Sequence, residues 1–345
     1  MKKSDLLNQP IEHIDITSFD ATKIIDSMRS MSFTSRETAS AADIYLKMLE
    51  DKECTNILTL AGSTSAGGCM QVYVEMVRNN MIDVIVATGA SIIDMDFFEA
   101  LGFEHYSGHA NIQDSKLREL YIDRIYDTFI DEEDLQKCDI TIKKIADELN
   151  PGIYSSREFI WELGRWLTNN SVKKDNLIQV AFEKNVPIFC PAFSDSSAGF
   201  GLVRHQWDHP DAHVSIDSVK DFRELTMIKM EAGTTGLFMI GGGVPKNFAQ
   251  DTVICAEILG KEVPMHKYAI QITVADVRDG ACSSSTLKEA SSWGKVDTVY
   301  EQMVYAEATS VLPLIASYVY HKGSWKNRPQ KNWNSLFNQN STNTE

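Results

Sequence analysis

Five short apolar runs constrain this chain more than any other feature: "CTNILTLAG" (54–62), "MIDVIVATGA" (81–90), "VPIFCPAF" (186–193), "TGLFMIGGG" (235–243) and "YAIQITVAD" (268–276). Each ends in glycine, alanine or a polar turn, so each reads as a strand buried on both faces. Between them lie stretches with helical periodicity, over 68–80, 155–170, 177–185, 217–232 and 247–260. That alternation predicts an α/β fold with a Rossmann-like, mostly parallel sheet and helices on both faces. The chain has no internal repeat and no long Pro/Gly/Ser linker, which argues for a single large domain over 31–325. Residues 1–30 read as an N-terminal arm, and 326–345 as a polar, partly disordered tail.

A chain of 345 residues can bury such a core without staples. Cys54, Cys69, Cys138, Cys190, Cys255 and Cys282 are scattered with no CxxC, and read as reduced thiols. The start "MKKSDLLNQP" has no apolar signal region, and no later window approaches ~18 apolar residues. A cytoplasmic protein without a membrane partner is therefore expected. The 33 basic and 48 acidic residues give a net charge of -15, which disfavours nucleic acid and suits cationic small molecules.

Ligands of open α/β sheets gather at the carboxyl ends of the strands, so the residues after each run carry the functional information. "AGSTSAGG" (61–68) sets Gly62, Ser63, Thr64 and Ser65 at the start of a helix, as a pyrophosphate cradle or a plain tight turn. It is neither G-x-G-x-x-G nor the nucleophile elbow G-x-S-x-G, since Ser63 stands two before Ser65. "ATGASIID" (87–94) repeats the arrangement with Thr88 and Gly89, and offers Asp94 to a ribose hydroxyl. "FSDSSAGF" (193–200) and "GGGVPKNF" (241–248), the latter with Gly242, bring the exits to four, which together suggest a nucleotide pocket. In "HQWDHPDAH", His205, His209 and His213 have the spacing of one helix face, but Pro210 interrupts it; the stretch reads as a loop, with no metal expected.

The segments "VPIFCPAFSD", "GLFMIGGGVPKN" and "EASSWGKV", followed by "VYAEATSVLPLI" (304–315), closely resemble deoxyhypusine synthases in order and spacing. Similarity runs from "IEHIDI" through "LTLAG" and "VATGAS" to about residue 320. The resemblance implies NAD-dependent transfer of an aminobutyl group from spermidine or a related polyamine, through an imine on the lysine matching Lys295. The implied acceptor is a lysine of translation initiation factor 5A, the route to hypusine, or a small diamine as in homospermidine synthases. It also implies a homotetramer with active sites at dimer interfaces, and an arm able to cover their entrance. Glu289 matches the polyamine glutamate and Trp293 the aromatic packed on the substrate chain. Asp195, Val274, Ala275, Asp279, Ser283 and the 61–68 and 87–94 exits match NAD-contacting positions, with Glu307 in place of an aspartate.

Imine formation needs an unprotonated amine, which a lysine reaches through desolvation or a neighbouring cation. Trp293 and Gly294 offer an apolar wall and room for approach. Four positions depart from the family. Phe200 and Cys282 replace the two aspartates that grip the polyamine, Asn247 replaces the histidine proposed as general base, and Asp251 replaces an asparagine. Spacing i to i+4 puts Asn247 and Asp251 on one helix face. Those changes point to an altered donor, binding direction or acceptor, or to a non-catalytic NAD- or amine-binding homologue.

Overall fold

The structure, a computed structural model, describes residues 2–338. Its strands in chain order are β1 (Thr55–Leu60), β2 (Val84–Ala87), β3 (His105–Ser107), β4 (Ile122–Ile125), β5 (Thr128–Asp131), β6 (Gly152–Tyr154), β7 (Ile188–Phe189), β8 (Val214–Ile216), β9 (Thr235–Ile240), β10 (His266–Thr273) and β11 (Val296–Tyr305). Six of them form one parallel sheet in the order β11-β10-β9-β1-β2-β7. All five apolar runs lie in this sheet. Its sixth member, β11, escaped the sequence reading because "VDTVYEQMVY" is an edge strand whose outward residues stay polar or half-exposed. The expected helix over 247–260 is two helices, Gly243–Gln250 and Thr252–Ile258, joined at Asp251.

Alternate strand residues feed two separate cores, as the period of two requires. Leu58, Leu60, Ile85, Phe238, Ile240, Ile270 and Ile272 pack on one face with helices Thr34–Glu50 and Ala308–Lys322. Ile57, Val84, Val86, Leu237, Met239 and Ala269 face the other way, onto Leu225, Ile228, Ala249, Leu287 and Ala290. The sheet grows from β1 to β2 and β7 on one side, and through β9, β10 and β11 on the other. The order therefore reverses between β1 and β9, the place where such sheets leave a crevice at their carboxyl ends.

Residues 10–28 lie against this body. Ile16, Ala21 and Ile25 are fully buried, the Ile14 N–H donates to the Gly68 carbonyl at 2.9 Å, and Ile11 N–H to His105 at 2.8 Å. Glu99 clamps the segment, with one carboxylate oxygen 2.7 Å from His13 Nε2 and the other 2.6 Å from His105 Nδ1. Burial pushes that carboxyl up, but the bonds from His105 and His13 outweigh it and hold it at about 2. A depressed carboxyl stabilises the fold above its unfolded value of 4.5, and that contribution fades as pH falls through 2. Acid unfolding followed by circular dichroism should show Glu99→Gln less stable than the parent near neutral pH, with the gap closing between those two values.

The polar C-terminal segment is not solvated along its first part. The Arg328 guanidinium is fully buried, donating to Asp83 Oδ1 at 2.9 Å, Asn80 O at 3.0 Å and Cys54 O at 2.8 Å, with a second bond to Asp83 Oδ2. These partners gather at the amino ends of β1 and β2, opposite the crevice. Residues 339–345 of the expected tail lie outside the described residues. Among the described residues no helix is long and apolar enough to cross a membrane.

Candidate active site

The carboxyl edge collects the sequence-predicted cofactor residues. Ser91 ties the β1 and β2 exits together, donating to Gly62 O at 2.7 Å with its hydroxyl 3.0 Å from that of Thr88. Thr64 is held by Tyr73 at 2.6 Å, and Ser65 is buried beside Ser91. Gly89 packs so tightly on Ser196 that a Cβ would stand 2.6 Å from it, which joins the β2 and β7 exits. On the other side Gly242 touches Ser284 in the same way, Val274 is exposed, and Ala275 N–H bonds Thr273 Oγ1 at 3.1 Å. Glu307 caps the helix Ala308–Lys322 by accepting the Thr309 N–H at 2.9 Å, and Gly67 of the β1 exit lies against that threonine.

Asp94 has a structural task that sequence could not show. Ser196, the N-cap of helix Ser197–Asp208, makes no side-chain cap, and Asp94 accepts the Ser197 N–H at 2.7 Å in its place. Burial raises the Asp94 carboxyl to about 6 against that bond. Asp195, exposed in the same exit, is the freer carboxylate.

Two observations bear on whether this edge suits a dinucleotide. Gly62 and Gly243, flanking the crevice with φ of +75° and +63°, would each point a Cβ into open space, so backbone is bared on both sides. Asp279 accepts the Ser283 N–H through Oδ2 at 3.1 Å, while its Oδ1 is buried without a partner. An orphaned buried acceptor asks for a donor such as a hydroxyl. The residues fit the group.

Lys295 stands elsewhere, immediately before β11 and so at that strand's amino end. Helix Leu287–Ser292 links it to the crevice. The helix starts in a capping box, Thr286 N–H donating to Glu289 Oε2 at 2.5 Å and Glu289 N–H to Thr286 Oγ1 at 3.1 Å. These bonds lower the Glu289 carboxyl. Six residues of helix span roughly 9 Å, which returns the chain from Ser284, beside Gly242, to Trp293 and Lys295.

The Lys295 ammonium lies 2.5 Å from Asp251 Oδ1 and 5.2 Å from the centre of the Trp293 ring. Its side chain is 17% exposed and that of Asp251 39%. The apolar wall expected from sequence is therefore present, but it comes with a carboxylate, so the amine is ion-paired. The neighbouring cation is Lys246, which the sequence reading passed over. It is fully buried, donating to Gln271 Oε1 at 2.9 Å, Ser284 Oγ at 3.2 Å, Ser285 Oγ at 3.1 Å and the Ser285 carbonyl. Burial pulls Lys246 down to about 8, with Glu289 opposing and Lys295 adding to the fall. Its signal was a lysine inside the glycine-rich exit "GGGVPKNF".

Asn247 is exposed one turn before Asp251, whose N–H it accepts at 2.8 Å. Glu289 opens onto a cleft of about 580 Å³ whose walls also carry Glu37 and Glu301. Cys282 is exposed in the loop before that helix. Phe200, 68% exposed, follows β7 at the far edge of the sheet, five strand spacings or roughly 24 Å from β11. One chain does not bring Phe200 to Lys295. Nor do the histidines form a ready metal centre. The helix stops at Asp208, and Asp147, His205 and His209 do approach one another, but His205 bonds Asp147 through Nδ1 at 2.7 Å and accepts Val214 N–H at Nε2.

The deoxyhypusine synthase family model matches residues 23–319. The chain belongs to the deoxyhypusine synthase family. It is 67% identical to a deoxyhypusine synthase-like protein of Coxiella burnetii over 97% of this chain and 96% of that one. A deoxyhypusine synthase-like protein of Caulobacter vibrioides is 66% identical, with 97% and 93% covered. A crystal structure of a provisionally assigned Entamoeba histolytica deoxyhypusine synthase shares the fold, at TM-score 0.59 and 20% identity over 90% of this chain and 97% of that one. Deoxyhypusine synthase membership supports aminobutyl transfer as the general chemistry.

Proposed function

We propose that this protein is an NAD-dependent transferase that moves an aminobutyl group from spermidine or a related polyamine to an amine acceptor through an imine on Lys295. The observation that carries this reading is the Lys295 amine, largely buried, against the Trp293 ring and beside a carboxylate. NAD, when bound, supplies reversible acceptance of hydride, which the opening oxidation and the closing reduction both require. Gly62, Ser63, Thr64, Ser65, Thr88, Gly89, Gly242 and Gly243 present backbone and hydroxyl groups to it, and Asp279, Ser283, Asp195 and Glu307 supply acceptors and donors.

Lys295 attacks the iminium carbon of the oxidised donor, so a new C–N bond forms as the bond to the diaminopropane portion breaks. Trp293 packs on the methylene chain and attracts its cationic end. Glu289, with Glu37 and Glu301 along the same cleft, supplies negative charge that Phe200 and Cys282 do not. Lys246 keeps a second, buried amine near Lys295.

A second copy completes the site in this reading. Phe200, Val203 and Trp207 form an exposed apolar stripe at i, i+3 and i+7 on helix Ser197–Asp208, the face a homotetramer covers. For the acceptor, Asp251 favours a small diamine over a lysine of translation initiation factor 5A, because it adds a partner for a second ammonium next to Lys295. The test is release of diaminopropane from spermidine with NAD, using putrescine or factor 5A as acceptor. Cleavage with putrescine capture is expected; no cleavage of any polyamine leaves only the NAD- or amine-binding alternative.

A further inference from the structure

We propose that Asp251 is the proton carrier of this site: it holds the Lys295 ammonium at rest and takes its protons during imine formation. The proposal rests on reading Lys295 as the imine-forming amine. It starts from a deficit, since the amide of Asn247 cannot accept a proton at neutral pH. One helical turn on, Asp251 places a carboxylate oxygen 2.5 Å from the Lys295 nitrogen.

The other charged groups around Lys295 are committed elsewhere. Lys246 is a cation bonded to Gln271 and two serines. Glu289 is tied to the Thr286 N–H, and Asp297 accepts the Val299 N–H at 2.9 Å. His266, on the neighbouring strand, is fully buried and turns its ring to Thr235 Oγ1 at 2.8 Å and Ala249 O at 3.2 Å. Asp251 alone of these groups touches the reacting nitrogen.

Partial exposure gives Asp251 a second property. Its Oδ1, against Lys295, is buried, while the side chain as a whole is more open than that of Lys295, so an incoming ammonium reaches the carboxylate through Oδ2 and shares it. Two cations on one carboxylate weaken the hold on each, and Lys295 is freed only when an amine is present. In the reaction, a Lys295 N–H bond breaks as an O–H bond forms on Asp251, and the nitrogen lone pair then attacks the donor's iminium carbon. The Lys295 ammonium gives up two protons overall, and both end on the leaving nitrogen by way of Asp251. The C–N bond to that nitrogen breaks, the amine departs as an ammonium, and Asp251 returns to carboxylate, so charge and atoms balance.

The test is labelling of the full-length protein, without NAD or polyamine, by trinitrobenzenesulfonate at neutral pH, with modification located by peptide mass mapping. Losing one contacting carboxylate should shift the free-amine fraction by about tenfold, so Lys295 in Asp251→Asn reacts about ten times faster than in the parent. Asp251→Glu, which restores a carboxylate, should return the slow rate. Lys229, fully buried on helix Ser218–Ala232, reports an intact fold by staying unlabelled. Equal Lys295 rates in parent and Asp251→Asn overturn the proposal, whatever the transfer assay gives. A tenfold difference without any polyamine cleavage would instead sink the transfer reading and leave the pairing in place.

Discussion

Lys295→Arg should lose aminobutyl transfer by on the order of 10³-fold or more while melting like the parent. Arginine keeps the positive charge and can still pair with Asp251, so the ion pair at this position survives. What it loses is the ability to become a free amine at neutral pH, and with it the covalent step. Lys295→Ala should fall as far in rate, but it also leaves Asp251 without its cation. Comparing the two separates charge from nucleophilicity: spermidine cleavage measures the loss of the nucleophile and circular dichroism melting the loss of the charge. An arginine variant that retains more than about a hundredth of the parent rate would mean that Lys295 orients the substrate and does not bond to it.

The largest effect on stability is expected far from this chemistry. Arg328→Ala should destabilise the protein by about 3–5 kcal/mol, because it strands a buried Asp83 carboxylate. Asp83 holds the Asn56 N–H at 2.7 Å as well, so the loss is felt at the start of β1. Arg328 also satisfies the carbonyls of Asn80 and Cys54. Urea unfolding measures the change. Because the deficit comes from an unpaired charge, Asp83→Asn placed on top of Arg328→Ala should recover part of it. A single-variant loss below about 1 kcal/mol would show that water replaces the guanidinium there.

The strands of the central sheet were legible because β1, β2, β9 and β10 are covered on both faces, which leaves almost no polar position to blur the pattern. β11 was not, since one side of an edge strand meets solvent. Arg328 illustrates the same limit from the other direction: a lone arginine in a polar segment looks solvated until its partner across the sheet is known. Lys246 was hidden because burial of a lysine depends on Gln271, Ser284 and Ser285, residues that only the fold assembles. Asp94 fitted the place of a ribose carboxylate, yet its partner, the Ser197 N–H, belongs to a helix beyond β7. Lys295 with Trp293 came from a contiguous motif and was readable. Its contact with Asp251 was not, because helical periodicity gives a face and not what stands opposite it.

On this reading Lys295 forms a covalent bond to the oxidised donor. Incubating the protein with NAD and spermidine, reducing with borohydride and mapping the peptides tests it most directly. The mass of one aminobutyl group is expected on the peptide carrying Lys295, absent without NAD and absent in Lys295→Arg. An unmodified Lys295 across a panel of di- and polyamines, or the same adduct spread over surface lysines, would contradict it.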